Sequence, residues 1–226
     1  MGDRLKTWTD KWEANDLGWQ EKNVNPRLLQ HVETLTQGKK PCQIYLPLCG
    51  KAPELKWFYD LGHNVVGVEG AEKGIREFFE ENNLLFDVST DESGIPCYKS
   101  KDGRMKIFKS DIFKIPIEKL GRIEAVWDRG SFVAIWKEDR EEYVSHMSKL
   151  LSSGSKIFME YIYYNEDLTE FRGAPRSVST EELRKLFGAA FKVEDPLHVE
   201  DWANHERAKR WKVQDLWVMD TFLTRI

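Results

Sequence analysis

A chain of 226 residues has room for one sizeable hydrophobic core and too little length for two comfortable domains, so a single domain spanning 1–226 is expected. Its formal charge of -4 and pI near 5.8 carry no basic excess, which argues against nucleic acid or an anionic membrane as a partner. No apolar run approaches the roughly 20 residues of a membrane span, and residues 1–10 are polar rather than leader-like, so the expected location is the cytoplasm.

In chain order, the first expected element is a helix capped by Thr7 with Asp10 three positions on, which sets Trp8 and Trp12 one turn apart on one face. Trp19 follows Leu17-Gly18. By spacing this is an amphipathic arm packed on the domain, and its functional reading is a lid that carries aromatic faces over a ligand site. A second helix starts near Pro26, a favoured first-turn residue, and ends at Gly38-Lys39-Lys40, so residues 1–38 make up a helical arm. Ile44-Tyr45-Leu46-Pro47-Leu48-Cys49-Gly50-Lys51-Ala52 then reads as the first strand of an open α/β sheet, broken by a glycine turn where such sheets bind ligands. A proline-initiated helix over 53–59 and the turn Leu61-Gly62-His63 lead to Val65-Val66-Gly67-Val68, a buried strand ending in Glu69. This is a βαβ unit. Glu69 lies nineteen residues past Gly50, where a Rossmann-like unit places the carboxylate that accepts hydrogen bonds from ribose hydroxyls.

Residues 71–83 form a further helix with Ile75, Phe78 and Phe79 inward, and the stretch to Pro96 is polar and turn-rich. A hairpin over 97–108 turns at Lys101-Asp102-Gly103, and its return strand reaches Asp111-Ile112. The fourth core strand, Ala125-Val126-Trp127, ends at Asp128-Arg129-Gly130. An amphipathic helix over 140–151, closed by Ser152-Ser153-Gly154, is followed by an apolar strand over 157–163. Residues 164–177 are an irregular loop of a length that often carries function. A helix capped by Ser179 or Thr180 runs to Phe187. A strand near 191–193, a Trp/Arg-rich connection over 202–211 and an alternating strand over 216–223 complete the chain. The alternation of strands and helices argues for an α/β fold. Cys42, Cys49 and Cys97 are odd in number and lack close pairing, which fits a reducing compartment. Cys49 reads as a small buried thiol, with a reactive nucleophile as the alternative. Nine tryptophans serve the core and also suit a site that grips a planar or cationic ligand.

Together, the glycine turn and Glu69 suggest a nucleoside-containing cofactor. Phosphate-bearing cofactors need backbone amides close to charged oxygens, hence several glycines, as in GxGxxG or GxxxxGK[ST]. This turn has one. Gly50-Lys51 superficially resembles a P-loop, but Tyr45 stands five positions before Gly50 and Ala52 follows Lys51. S-adenosylmethionine has an adenosine and no phosphate, and is compatible with one glycine plus a ribose-binding acid. The turn argues against the two phosphate classes more firmly than it argues for the third.

Trp8…Trp12, Pro47-Leu48-Cys49-Gly50-Lys51-Ala52, Trp57-Phe58, Gly62-His63-Asn64-Val65-Val66-Gly67-Val68-Glu69, Phe78-Phe79, Ile112-Phe113 and Trp127-Asp128-Arg129-Gly130 resemble the thiopurine S-methyltransferase family over nearly the whole chain. The resemblance implies a class I methyltransferase fold: a Rossmann-like, seven-stranded, mostly parallel sheet with helices on both faces and its last strand antiparallel, binding S-adenosylmethionine and releasing S-adenosylhomocysteine. Position by position, it makes Trp8, Trp12 and Trp19 a cofactor-covering arm. Leu48 and Gly50 fall in the cofactor turn, Glu69 is the ribose acid and Asp111-Ile112 the adenine-facing segment. Arg129 becomes an active-site arginine that also touches the cofactor, and Arg207 a second arginine near the substrate. Two places depart from the family pattern: residues 163–175 lack its Tyr-Asp-Pro and double-proline wording, and Ser131-Phe132 replace a small-aliphatic pair.

Methyl transfer from a sulfonium needs positioning above all. Holding donor and acceptor in line supplies on the order of 7–11 kcal/mol, more than one general base at roughly 10²–10⁴-fold. No metal is expected. The expected acceptor is a small thiol, thiopurine-like or selenium or tellurium nucleophile, oriented by the donor forks of Arg129 and Arg207. Asp128 is expected either to accept the cofactor's ammonium or a substrate proton, or to hold Arg129. A different small acceptor (amine, halide or hydroxyl) and a catalytically silent cofactor-binding module are the alternatives. A monomer is expected.

Overall fold

The computed structural model describes residues 2–226, with side chains from Arg4 onward; Met1, the first residue of the expected arm, lies outside the described residues. Two compact units divide the chain, one ending at Val126 and the other spanning Trp127–Ile226, and their boundary falls inside a single strand.

The first unit opens with helix α1 (Gly2–Glu13) and helix α2 (Pro26–Thr36). Asn25 caps α2, its side-chain oxygen accepting from the Arg27 and Leu28 amides, while Pro26 occupies a first-turn position where its missing N–H costs nothing. Strand β1 (Gln43–Leu46), helix α3 (Pro53–Asp60), strand β2 (Asn64–Glu69) and helix α4 (Glu72–Glu81) follow in a βαβα run. After them come β3 (Phe86–Thr90), β4 (Pro96–Ser100), β5 (Met105–Lys109), the one-turn helix α5 (Ile117–Leu120) and β6 (Ile123–Arg129). The strand order is β3-β4-β5-β2-β1-β6. Ladders β5–β2, β2–β1 and β1–β6 are parallel, whereas β3–β4 and β4–β5 are antiparallel. Ile44, Tyr45 and Leu46 of β1 are all buried, as expected of a parallel strand covered on both faces.

The second unit takes up β6 at Trp127 and continues with helix α6 (Arg140–Leu150), strand β7 (Leu151–Tyr163), helix α7 (Thr180–Phe187), strands β8 (Phe191–Val193) and β9 (His198–Asp201), helix α8 (Glu206–Trp211) and strand β10 (Trp217–Arg225). Here β10 lies between β7 and β8 and also pairs with β9, every ladder being antiparallel. Phe158 stacks on Phe222 at 4.6 Å across β7 and β10, and Trp127 meets Phe158 at 5.3 Å.

Seven strands among the described residues (β1, β2, β5, β6, β7, β8 and β10) supply the expected framework with its antiparallel last strand, and helices flank it. Strands β3, β4 and β9 are additions. The hairpin expected over 97–108 is the β4–β5 pair, with Gly103 at φ 77 in its turn. Several expectations differ from the structure. Thr7 lies inside α1 rather than capping it, because the helix already begins at Gly2. Strand β3 arises in the stretch that reads as polar and turn-rich: Asp87–Thr90 is exposed, and the apolar anchor is Phe86, 4.6 Å from Phe79. Strand β7 starts at Leu151 without an intervening loop, with Gly154 at φ 85. The 202–211 connection contains α8.

All three cysteines are free. Cys42 and Cys49 are buried and Cys97 is half-buried; the Cys49 sulfur fills the space beside Gly67, where an added Cβ would lie 2.7 Å away. Among the described residues, no helix is long and apolar enough to cross a membrane.

Candidate active site

Where β1 ends, the backbone turns left-handed at Leu48 (φ 44) and again at Gly50 (φ 50). The second position suits glycine; the first strains a leucine by about 1–2 kcal/mol. This turn aims the Gly50 amide at Glu69, whose Oε2 accepts it at 2.9 Å, while the Ala71 amide donates to Oε1 at 2.7 Å. Burial raises the Glu69 pKa, and the amides of Ala71, Gly50 and Gly70 oppose that rise. Each carboxylate oxygen accepts more than one hydrogen bond, so the group retains acceptor capacity for a ribose diol. The donor set fits an adenosine cofactor on that ground. At the end of the neighbouring β5, the Ser110 amide donates to the Glu69 carbonyl at 3.0 Å, the Phe113 amide donates to the Asp111 carboxylate at 3.0 Å, and Ile112 is buried. Asp111 and Ile112 are therefore held at the level of the Glu69 end.

The arm reaches the same turn. Trp19 meets Trp8 edge to face at 5.1 Å and Trp12 at 6.2 Å, and Trp12 is only 2 % exposed. A Cβ on Gly50 would lie 2.5 Å from Gln20 Nε2 and 3.1 Å from the Trp12 ring. One on Gly74 would lie 2.7 Å from that ring, and one on Gly70 would lie 2.2 Å from Leu5. These three glycines are seats for the arm. Trp8, Trp12, Trp19, Gly50 and Glu69 thus form one connected group in the first unit, with Leu48 half-buried in the turn.

In the second unit, Asp128 is fully buried at the end of β6. Its carboxylate accepts from the Phe132 amide at 3.0 Å and the Tyr143 hydroxyl at 2.6 Å. Burial pushes its pKa up to about 6 against the pull of Tyr143, Phe132 and Ser131. Asp128 therefore shapes the 131–135 segment. Arg129 donates from Nε to Glu160 Oε1 on β7 at 3.2 Å. Arg207 lies on α8, its guanidinium 5.7 Å from the Trp202 ring, which itself stacks on His205 at 4.2 Å. His205 caps α8 through Nδ1, which accepts from the Arg207 amide at 3.1 Å. The 164–177 loop packs onto α8: Phe171 stacks on Trp211 at 5.5 Å, and the Thr169 hydroxyl donates to the Lys212 carbonyl at 3.1 Å. Arg176 fastens the loop's other end to the segment after β6, donating from Nη1 to the Ala134 carbonyl at 2.7 Å with its guanidinium 4.0 Å from the Trp136 ring.

The sequence model of the thiopurine S-methyltransferase family matches residues 4–222. The chain belongs to the thiopurine S-methyltransferase family. It is 36% identical over 211 residues to the thiopurine S-methyltransferase of Oryctolagus cuniculus, covering 92% of this chain and 84% of that protein. The Rattus norvegicus enzyme is likewise 36% identical over 211 residues, covering 92% and 86%. Among solved structures, a SAM-dependent methyltransferase from Anabaena variabilis superposes with a TM-score of 0.67 at 12% identity, covering 98% of this chain and 95% of that one. The Burkholderia thailandensis 1,6-didemethyltoxoflavin-N1-methyltransferase, bound to its substrate and S-adenosylhomocysteine, gives 0.63 at 12% identity, covering 97% and 87%. Both share the Rossmann-like fold. This thiopurine S-methyltransferase family member is an S-adenosylmethionine-dependent methyltransferase for a small acceptor.

In this family member, Glu160, the carboxylate that pairs with Arg129, is the residue that pattern reading passes over. Its signal is present: an acid within the apolar run of β7, Ile157-Phe158-Met159-Glu160-Tyr161-Ile162, with a second, Asp220, within β10. A carboxylate inside a buried strand requires a partner.

Proposed function

We propose that the chain, acting as one methyltransferase domain and as a monomer, methylates the sulfur of a small thiol or thiopurine-like acceptor, or a selenium or tellurium analogue. The observation that carries this reading is the Glu69 carboxylate, oriented by the Gly50 and Ala71 amides at the carboxyl end of β2 in a chain of this family. Glu69 receives the ribose hydroxyls. Asp111 and Ile112 bracket the adenine, and Leu48, Gly50 and the Trp8, Trp12 and Trp19 cluster close over the rest of the cofactor. When bound, S-adenosylmethionine supplies an electrophilic sulfonium methyl that passes in line to the acceptor sulfur, leaving S-adenosylhomocysteine, with the thiol proton going to water.

A thiol ionises near pH 8.5 and needs little help to become a nucleophile. The residues' main work is then orientation and exclusion of water, worth on the order of 7–11 kcal/mol when the reacting atoms are aligned. Arg129 and Arg207 orient the acceptor. Asp128 acts on it indirectly, by fixing the segment that follows Arg129. The free cysteines support a reducing, cytoplasmic setting. Calorimetric titration with S-adenosylhomocysteine is expected to give one-site binding that Glu69→Ala weakens severely. Equal affinity in a well-folded Glu69→Ala protein would sink the assignment of this carboxylate.

A further inference from the structure

Trp127 and Arg129 lie two residues apart on β6 and therefore share a face. On β7 and β10 the pairs Phe158–Phe222 and Glu160–Asp220 stand directly opposite one another, and His198 of β9 opposes Asp220. Cross-strand partners also share a face. Two stacked rows result. The lower one is aromatic, with Trp127, Phe158 and Phe222 in contact. The upper one is charged and runs Arg129, Glu160, Asp220, His198: Arg129 Nε lies 3.2 Å from Glu160 Oε1, and His198 Nδ1 lies 3.0 Å from Asp220 Oδ1.

The side chains of Arg129 and Glu160 are 20% and 17% exposed, and that of Asp220 is fully buried. Glu160 faces the Arg129 guanidinium and Asp220 opposes Glu160 across the ladder, and His198 adds a second positive charge only when protonated, so these four groups together carry a formal charge of zero or -1. Directly opposed like charges destabilise a ladder, and here Arg129 and His198 flank the pair. An unmasked arginine fork would select a carboxylate-bearing acceptor. An arginine already paired through Nε and backed by a second buried carboxylate selects against one, because the incoming anion meets a row with no net positive charge.

Resting on the reading of Arg129 as an acceptor-side residue, the geometry points to Glu160 as a specificity-determining residue that neutralises Arg129, so that the enzyme takes uncharged thiols in preference to carboxylated ones. The test compares para-mercaptobenzamide with para-mercaptobenzoate, which differ in charge at one position. The parent protein is expected to favour the amide in kcat/KM by about tenfold or more. Glu160→Gln should shift that ratio by about tenfold towards the benzoate through KM, with the KM for S-adenosylmethionine unchanged, and Glu160→Asp should restore it. A merely structural Glu160 would lower both acceptors alike. Preference of the parent for the benzoate, or an unaltered ratio in Glu160→Gln, overturns the proposal. Should Glu160→Gln fail to fold, titration of the two methyl thioether products onto parent protein loaded with S-adenosylhomocysteine decides: tighter binding of the amide supports the proposal, and tighter binding of the benzoate overturns it. Absence of turnover with either thiol, despite S-adenosylhomocysteine binding, would instead overturn the S-methylation reading on which this rests.

Discussion

At Asp128 the carboxylate is surrounded by donors of its own chain, the Phe132 amide and the Tyr143 hydroxyl, and none of its surface reaches solvent. Its chemistry is therefore spent on positioning. Tyr143→Phe removes a 2.6 Å hydrogen bond to a buried anion without changing the ring's packing against Phe132. The expected loss is about 1–3 kcal/mol of stability, read as a lower midpoint in chemical unfolding, with the affinity for S-adenosylhomocysteine retained. Unchanged stability would mean that the Tyr143 bond contributes nothing net. At this scale the sequence was partly legible. Glu69 is visible because its spacing from Gly50 follows from the length of a βαβ unit. Glu160 is not, because its meaning depends on register with Asp220, sixty residues away, and on Arg129 beside it. Such pairings are invisible to local pattern.

Among the elements, α1 gives the clearest test. Replacing Gly74 by alanine improves the intrinsic helicity of α4 by about 1 kcal/mol, yet the new Cβ would stand 2.7–3.0 Å from three atoms of the Trp12 indole. Overpacking of this kind costs about 1–3 kcal/mol, and Trp12 is too buried to swing aside. Gly74→Ala should therefore loosen the arm while leaving α4 intact: faster proteolysis within residues 1–25, red-shifted tryptophan emission and weaker S-adenosylhomocysteine binding. Protease resistance equal to that of the parent would show that the seat does not hold the arm. Elements were legible where punctuation is strong. Asn25-Pro26 starts α2, Asp102-Gly103 turns the β4–β5 hairpin, and unbroken apolar runs mark β1 and β2. They were illegible where an element borrows its stability. Strand β3 has Phe86 as its packed residue, β9 is largely exposed and leans on β10, and α8 is a charged turn held by the Phe171–Trp211 stack.

For the whole molecule, two buried groups of the second unit pull stability in opposite directions with pH. Asp128, raised to about 6, stabilises the fold fully below the ordinary Asp value of about 3.9, and that contribution is lost as pH rises through 6. Burial holds the Glu69 carboxyl above its ordinary range as well, so it acts in the same sense. His146, pushed down to about 4 by burial and by Lys149, contributes stability that is present above about 6.5 and lost as pH falls through 4. Its Nε2 is buried with no hydrogen-bond partner, so protonation has nothing to offset it. Over pH 4–6.5 the opposed terms should flatten the melting temperature. His146→Leu is expected to leave a Tm that falls as pH rises across that window, and Asp128→Asn one that rises. Parallel Tm profiles for parent and variants would refute the opposition. Glu72, Asp91 and Asp102, each held near 2, act at lower pH and are surface groups screened by water.

The buried cysteines bear on a hazard peculiar to an enzyme that alkylates sulfur. Burial raises the Cys42 thiol to about 12, lifts Cys49 well above its ordinary value and raises Cys97 too. A thiol titrating near 12 is thiolate in only about one molecule in 10⁵ at pH 7. Burial and the neighbouring Glu69 carboxylate lift the Cys49 thiol in the same direction, so its sulfur, wedged against Gly67 in the turn after β1, is a poor nucleophile. The catalyst keeps its own sulfur out of the reaction it performs on others, and is spared suicide by self-methylation.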